Sequence, residues 1–195
     1  SSTFGELTFV QAQLTSIGVR PVALALPNGS AALGQDAHVY VVGQNSNTLA
    51  VFRRVTDPSS SAFGQVQPID LLTSGQDGIA FMQGPTDVQV SPDGKRVYVA
   101  AEASDAVLVF DRDLNFNSSR FGVVSPVEVR RDSVRGVDGI RGVRALGVSA
   151  DSRNVYAAGF GEGAVASFRL GTGSVCTAGG SGTIEPSTAP RSHAP

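Results

Sequence analysis

Self-similarity constrains this chain most. Ser1-Ser2-Thr3-Phe4-Gly5 returns as Ser60-Ser61-Ala62-Phe63-Gly64 and again as Ser118-Ser119-Arg120-Phe121-Gly122. His38-Val39-Tyr40, Arg96-Val97-Tyr98 and Asn154-Val155-Tyr156 follow one another at intervals of 58 residues, as do Val51-Phe52, Val109-Phe110 and Ser167-Phe168. Independent anchors in a single register define a tandem repeat, whose units stack because none can bury its apolar face alone. The units run over 1–59, 60–117 and 118–170, followed by a tail at 171–195.

Each unit reads as four short strands. The first follows the Phe-Gly pair, at Leu7–Gln11, Val66–Leu71 and Val123–Val129. The others are Val22–Leu26, Thr86–Val90 and Arg144–Val148; Val39–Val42, Val97–Ala101 and Val155–Ala158; and Leu49–Arg53, Val107–Asp111 and Val165–Arg169. These runs are rich in Val, Tyr and Phe and are bounded by Gly, Pro, Asn, Asp and Ser, the punctuation of an all-β chain. No stretch sustains a 3.6-residue period, so helix is expected to be nearly absent. Val97-Tyr98-Val99-Ala100 and Val107-Leu108-Val109-Phe110 are apolar at every position, which predicts strands buried on both faces. Pro68 and Pro126 stand at equivalent places in the first-named strand, and proline cannot donate to a ladder, so that strand is expected at an edge. Inner strands buried twice and an outer edge bearing proline describe a β-propeller blade. The fold class is therefore all-β, with three four-stranded blades.

Pro85-Thr86-Asp87-Val88-Gln89-Val90-Ser91-Pro92-Asp93-Gly94-Lys95-Arg96-Val97-Tyr98-Val99-Ala100, continued by Asp105-Ala106-Val107-Leu108-Val109-Phe110-Asp111, resembles the repeat of the YVTN and lactonase-like seven-bladed propellers of bacteria. The resemblance covers about residues 4 to 170. It implies a propeller in an exported, extracellular or periplasmic protein. It implies little about activity, because propellers host unrelated functions.

Three blades do not make a ring, since closed propellers carry about 4–8. The chain begins on an outer strand and its third unit stops after three inner ones. That phase predicts either a twofold homodimer with six blades, each N-terminal strand completing the partner's last blade, or one part of a longer propeller chain. The Gly-, Ser- and Pro-rich tail is expected to be a flexible segment.

Charge narrows the partners. Fifteen basic against 17 acidic residues give a net charge of −2, which offers no field for a nucleic acid. No apolar run approaches the length of a membrane helix, and the first residues carry no leader pattern. One cysteine, Cys176, excludes an intrachain disulfide and a cysteine zinc cluster. A tryptophan count of 0 argues against a quinone-cofactor propeller, and no cofactor is expected.

Candidate binding residues fall on one rim: Gln44, Asn45, Asp77, Glu102, Asp105, Arg135, Asp138 and Arg141. The guanidinium groups of the third unit suit an acidic protein or glycan ligand. Asp77-Gly78-Ile79 and Asp138-Gly139-Ile140 share a tripeptide that reads as turn chemistry, with Asp77 and Asp138 as weak calcium candidates. Catalytic residues are not evident: His38 sits where the other units carry Arg96 and Asn154, and no nucleophile elbow is present. The leading expectation is a non-enzymatic binding or assembly module. The alternatives are a lactonase-like hydrolase using Asp77, Glu102, Asp138 and Arg141, and a structural fragment without independent activity.

Overall fold

A computed structural model describes residues 9–12, 20–27, 37–171 and 184–186. Three antiparallel sheets of four strands follow in chain order. The first contains β1 (Pro21–Ala25), β2 (His38–Gly43), β3 (Thr48–Arg54) and β4 (Val66–Thr73). The second contains β5 (Pro85–Val90), β6 (Arg96–Ala101), β7 (Ala106–Arg112) and β8 (Val124–Arg131). The third contains β9 (Val143–Val148), β10 (Asn154–Gly159), β11 (Ala164–Leu170) and β12 (Ile184–Pro186). The only helical element among the described residues is a 3-10 turn at Glu102–Ser104, and no helix is long and apolar enough to cross a membrane.

Each sheet is a blade whose strands pair in chain order. The first strands lie nearest one another, β1 beside β5 and β5 beside β9, so they form the hub and β4, β8 and β12 the periphery. The prolines occupy the outer edge as expected: Pro68 pairs with Phe52 and Pro126 with Phe110, each at a register shift where the edge strand bulges.

The apolar runs explain the stacking. Successive side chains along β6 and β7 point to opposite faces. Val97, Val99, Leu108 and Phe110 join Tyr40, Val42, Leu49 and Val51 in a core between the first two blades. Tyr98, Ala100, Val107 and Val109 join Val155, Ala157, Leu146 and Phe168 in a core between the second and third. Tyr40 and Tyr98, one repeat apart, are both fully buried. Their counterpart Tyr156 is 43% exposed, and Val165, counterpart of Leu49 and Val107, is 74% exposed. The third blade thus keeps open the face that the other two use to receive a neighbour.

Two expectations about the chain ends need correction. The third blade does not lack an outer strand: Ile184–Pro186 pairs with β11, setting Pro186 opposite Phe168 as Pro68 and Pro126 stand opposite Phe52 and Phe110. The rest of the tail, 172–183 and 187–195, lies outside the described residues. At the other end, Leu7 is outside the described residues and 9–12 form no strand. There the Gln11 side-chain oxygen accepts from the Val66 amide at 3.1 Å, which places this segment against its own first blade. Completion of a final blade by a partner's N-terminal strand therefore loses its structural basis.

Candidate functional site

The rim is built by loops that repeat as faithfully as the strands. Asn47 and Asp105 end the turns between the second and third strands of their blades, both with left-handed backbone (φ 56° and 49°). The Asn47 side chain accepts the amide of Gly84 at 2.8 Å, and Asp105 accepts that of Gly142 at 2.6 Å. Each turn thereby holds the loop that leads into the next blade. Gly163 stands at the same place in the third blade and has no side chain to offer.

Those loops place the Asp-Gly-Ile repeat in a different register from the one the tripeptide suggests. Ser74 and Asp132 cap equivalent amides, those of Met82 and Ile140. Asp77 is therefore matched by Arg135, both left-handed at φ 49° and 52°, and Ile79 by Val137, both buried. Asp138 corresponds to Ala80. The two aspartates proposed together for calcium do not share a structural role. Asp77 is an exposed turn residue, whereas the carboxylate oxygens of Asp138 lie within 4.8 Å of those of Asp132 and Glu162. Asp132 is already committed to the Ile140 amide and the Ser133 hydroxyl, and Glu162 lies 3.8 Å from Arg141.

The other rim candidates separate in the same way. Glu102 is gripped by Arg144, whose Nε and Nη2 reach one carboxylate oxygen at 2.8 and 2.6 Å while its guanidinium lies 3.9 Å over the exposed Phe160 ring. Arg141 donates to the Gly161 carbonyl at 2.9 Å. Gln44 is half-buried, its amide donating to the Arg20 carbonyl, and Asn45 is exposed. Around the second-to-third junction the structure thus gathers Glu102, Asp105, Asp138 and Arg141, together with the unforeseen Arg144, Asp132 and Glu162. Asp77 belongs to the preceding loop.

Arg135 lines a feature that the sequence did not single out. A groove of ≈480 Å³ is bounded by Phe81, Val127, Glu128, Val129, Arg130, Arg131, Val134 and Arg135. A second, of ≈490 Å³, shares Phe81 and Arg131 and extends over Asn47, Ser74, Gln83, Ser104 and Asp105. The Arg131 guanidinium carbon lies 4.1 Å from the Phe81 ring centroid. The signal was available: a shift of one repeat sets Phe81 on Gly139 and Arg131 on Thr73, so both groove residues depart from the repeat.

On the opposite rim, His38 and Arg112 form a buried polar group between the first two blades. Arg112 donates from Nε to the Tyr40 hydroxyl at 2.6 Å and from Nη1 to the Gly94 carbonyl at 3.1 Å. The Tyr40 hydroxyl in turn donates to the Gly122 carbonyl at 2.6 Å. Nη2 lies 3.1 Å from His38 Nδ1, and guanidinium has no acceptor, so Nδ1 must accept and the neutral ring carries its proton on Nε2. Nε2 meets no partner in hydrogen-bonding geometry, although the Phe121 backbone lies close enough to favour a proton there. Burial first, then Arg112 and Arg53, lower the imidazole from 6.5 to about 4. Burial pushes the Tyr40 phenol up to about 12 against the pull of Arg112. Gly122 makes the ring's position possible: a Cβ there would stand 2.1 Å from Nε2.

Solved structures share this architecture. A presumptive 6-phosphogluconolactonase from Bacteroides fragilis superposes with a TM-score of 0.59 at 17% identity, over 85% of this chain and 37% of its own. One from Bacteroides uniformis gives 0.60 at 17% identity, over 86% and 39%. The periplasmic gluconolactonase of Pseudomonas aeruginosa gives 0.54 at 18% identity, over 77% and 36%. At these identities the likeness is one of fold. The chain spans well under half the length of each, so it covers only part of a propeller. No curated protein matches it. Residues 30–127, half of the chain and most of its first two blades, match the model described as "Lactonase, 7-bladed beta-propeller", and the chain belongs to that family.

Proposed function

We propose that this chain is a binding and assembly module of an exported bacterial protein, completed by further blades and presenting its rim loops to a protein or glycan ligand. The observation that carries the reading is the open face of the third blade. Tyr156 and Val165 stand where Tyr40 and Tyr98, and Leu49 and Val107, are buried against the next blade, and they remain 43% and 74% exposed. An apolar sheet face with this pattern is a docking surface for a neighbour of the same kind. The family is described by seven blades, which favours four more blades over a pair of three-bladed chains.

Light scattering on the 195-residue chain tests the reading. Concentration-dependent association is expected, and Val165→Asp weakens it by placing an unpaired charge at the junction. A chain that stays monomeric over a wide concentration range, or a Val165→Asp protein that associates as well as the parent, refutes the docking role of this face. Export is supported by the family resemblance and by the periplasmic relative. Fractionation of cells expressing the full-length gene product checks it, and a cytoplasmic product would refute it.

Hydrolysis is the second reading, favoured by the gathering of Glu102, Asp138 and Arg141 at one junction and by the names of the solved relatives. Asp77 lies outside that gathering. Turnover of a sugar lactone, with and without a divalent ion, that is lost in Arg141→Ala would move the conclusion to this reading.

A further inference from the structure

Among the described non-glycine residues with positive φ, Phe81 is the only aromatic one, at φ 62°. Bulky side chains avoid the left-handed region, and a residue held there against preference points to a local demand. The loop requires the left-handed turn but not a bulky side chain within it. Its counterpart Gly139 adopts φ 88°, and both loops close through the same capped amide and the same buried plugs, Ile79 and Met82 here, Val137 and Ile140 there. Nor does the core use the ring, which is 44% exposed.

The ring is used in the groove. It forms, with Arg131, the wall shared by the two lobes of ≈480 and ≈490 Å³. The charges there do not cancel. Arg130 is paired with Glu128 at 2.5 Å, and Asp105, whose carboxylate accepts the Gly142 amide, offsets only one of the two remaining cations. Among the described residues, Arg131 and Arg135 have no carboxylate within ion-pairing distance, and Arg131 Nε is buried without a hydrogen-bond partner. Phe81, Val127, Val129 and Val134 supply apolar surface beside these two cations.

We infer that this groove binds a small organic carboxylate with a flat apolar body. The body lies against Phe81 and the valines, and the carboxylate meets the guanidinium groups of Arg131 and Arg135, whose forked donors match its two oxygens. This goes beyond the proposed assembly role, since it does not use the open blade face.

Titration of the 195-residue chain with benzoate, followed by calorimetry and by NMR shifts, tests the inference, with benzamide and inorganic phosphate as comparisons. Benzoate is expected to bind one-to-one, and benzamide and phosphate each at least about tenfold more weakly, which is the loss of one charged contact or of the apolar one. Phe81→Gly should abolish binding while raising the melting temperature, because it relieves the left-handed strain and restores the residue of the sister loop. Arg131→Gln should abolish binding with little change in stability, and Arg120→Ala, exposed on the opposite rim, should leave binding intact. The inference is overturned by saturation that Arg131→Gln does not affect, by equal affinity for benzamide or phosphate, by no benzoate binding at tens of millimolar, or by a Phe81→Gly protein that melts lower than its parent.

Discussion

The His38 cluster makes the protein acid-sensitive in a definable window. A histidine whose folded pKa is lowered is neutral in the native state, while the unfolded chain takes up a proton near 6.5. The unfolded state therefore binds more protons between 6.5 and about 4. Stability contributed by the neutral ring is fully present above 6.5, falls through that interval, and is gone below about 4. At about 1.4 kcal/mol per pH unit the difference amounts to roughly 3 kcal/mol. The His38 side chain is shielded from solvent, so screening weakens this contribution only in part. The geometry gives the same sign: a proton on Nδ1 would face Arg112 Nη2, 3.1 Å away, donor against donor.

The perturbation that isolates this contribution is His38→Asn, the residue that the third blade carries at Asn154. Denaturant unfolding at pH 7, 5.5 and 4 should show the parent losing roughly 3 kcal/mol across the range. The variant, less stable at pH 7 by about 1–2 kcal/mol for the lost packing and hydrogen bond, should be nearly flat. The carboxylates held low, Asp57, Asp113 and Asp151, act elsewhere. Each is stabilised by side-chain and backbone hydrogen bonds, and its contribution is lost only below its usual value of 3.8. Parallel pH profiles for parent and variant between 6.5 and 4 would refute the reasoning.

Other junction contacts give sharper single tests. Gly122→Ala should destabilise by about 3 kcal/mol or more, because it adds a Cβ against the His38 ring at a φ of 86°; thermal melting checks it. Asp87→Ala removes the carboxylate that accepts the Leu146 amide at 2.7 Å across the hub and should cost about 1–3 kcal/mol, read as faster hydrogen exchange in β9. Calcium should leave the melting temperature unchanged, since Asp132 and Glu162 are engaged by protein donors; a one-to-one binding heat that Asp138→Asn removes would overturn this.

The strands were legible because the 58-residue register supplies three independent readings of each element. The edge role of Pro68 and Pro126 followed from the missing amide alone. What failed was reading against that register. In the third blade the proline opposite the phenylalanine comes two residues later, at Pro186, inside a Gly- and Ser-rich stretch whose composition hides it. The shared Asp-Gly-Ile misled because its copies are 61 residues apart, so a tripeptide match outweighed the fold's own period. The buried His38–Arg112–Tyr40 group lies beyond any short motif, because its members stand 72 and 74 residues apart and meet only when two blades stack.

The polar contacts also explain how blades of the same fold find their order. Apolar faces repeat from blade to blade, and such surfaces alone would accept any neighbour. One contact repeats, the Asn47 and Asp105 side chains on the amides of Gly84 and Gly142, but most other groups that cross each junction do not. Between the first two blades they are Tyr40, His38 and Arg112; between the second and third they are Thr86 to the Val143 carbonyl, Asp87 to the Leu146 amide, and Glu102 to Arg144. The first blade has Ala23 where the second has Asp87, as register pairing with Val42 and Ala100 shows, and the third blade has Leu170 where the second has Arg112. Swapping blades would bury Asp87 or Arg112 without its partner, a penalty larger than a typical apolar mismatch. Order is thus fixed by what a wrong neighbour would leave unpaired. The open face of the third blade presents Ala145 and Gly163 where the second blade has Asp87 and Asp105, so it carries neither of these two acids that cross the second-to-third junction.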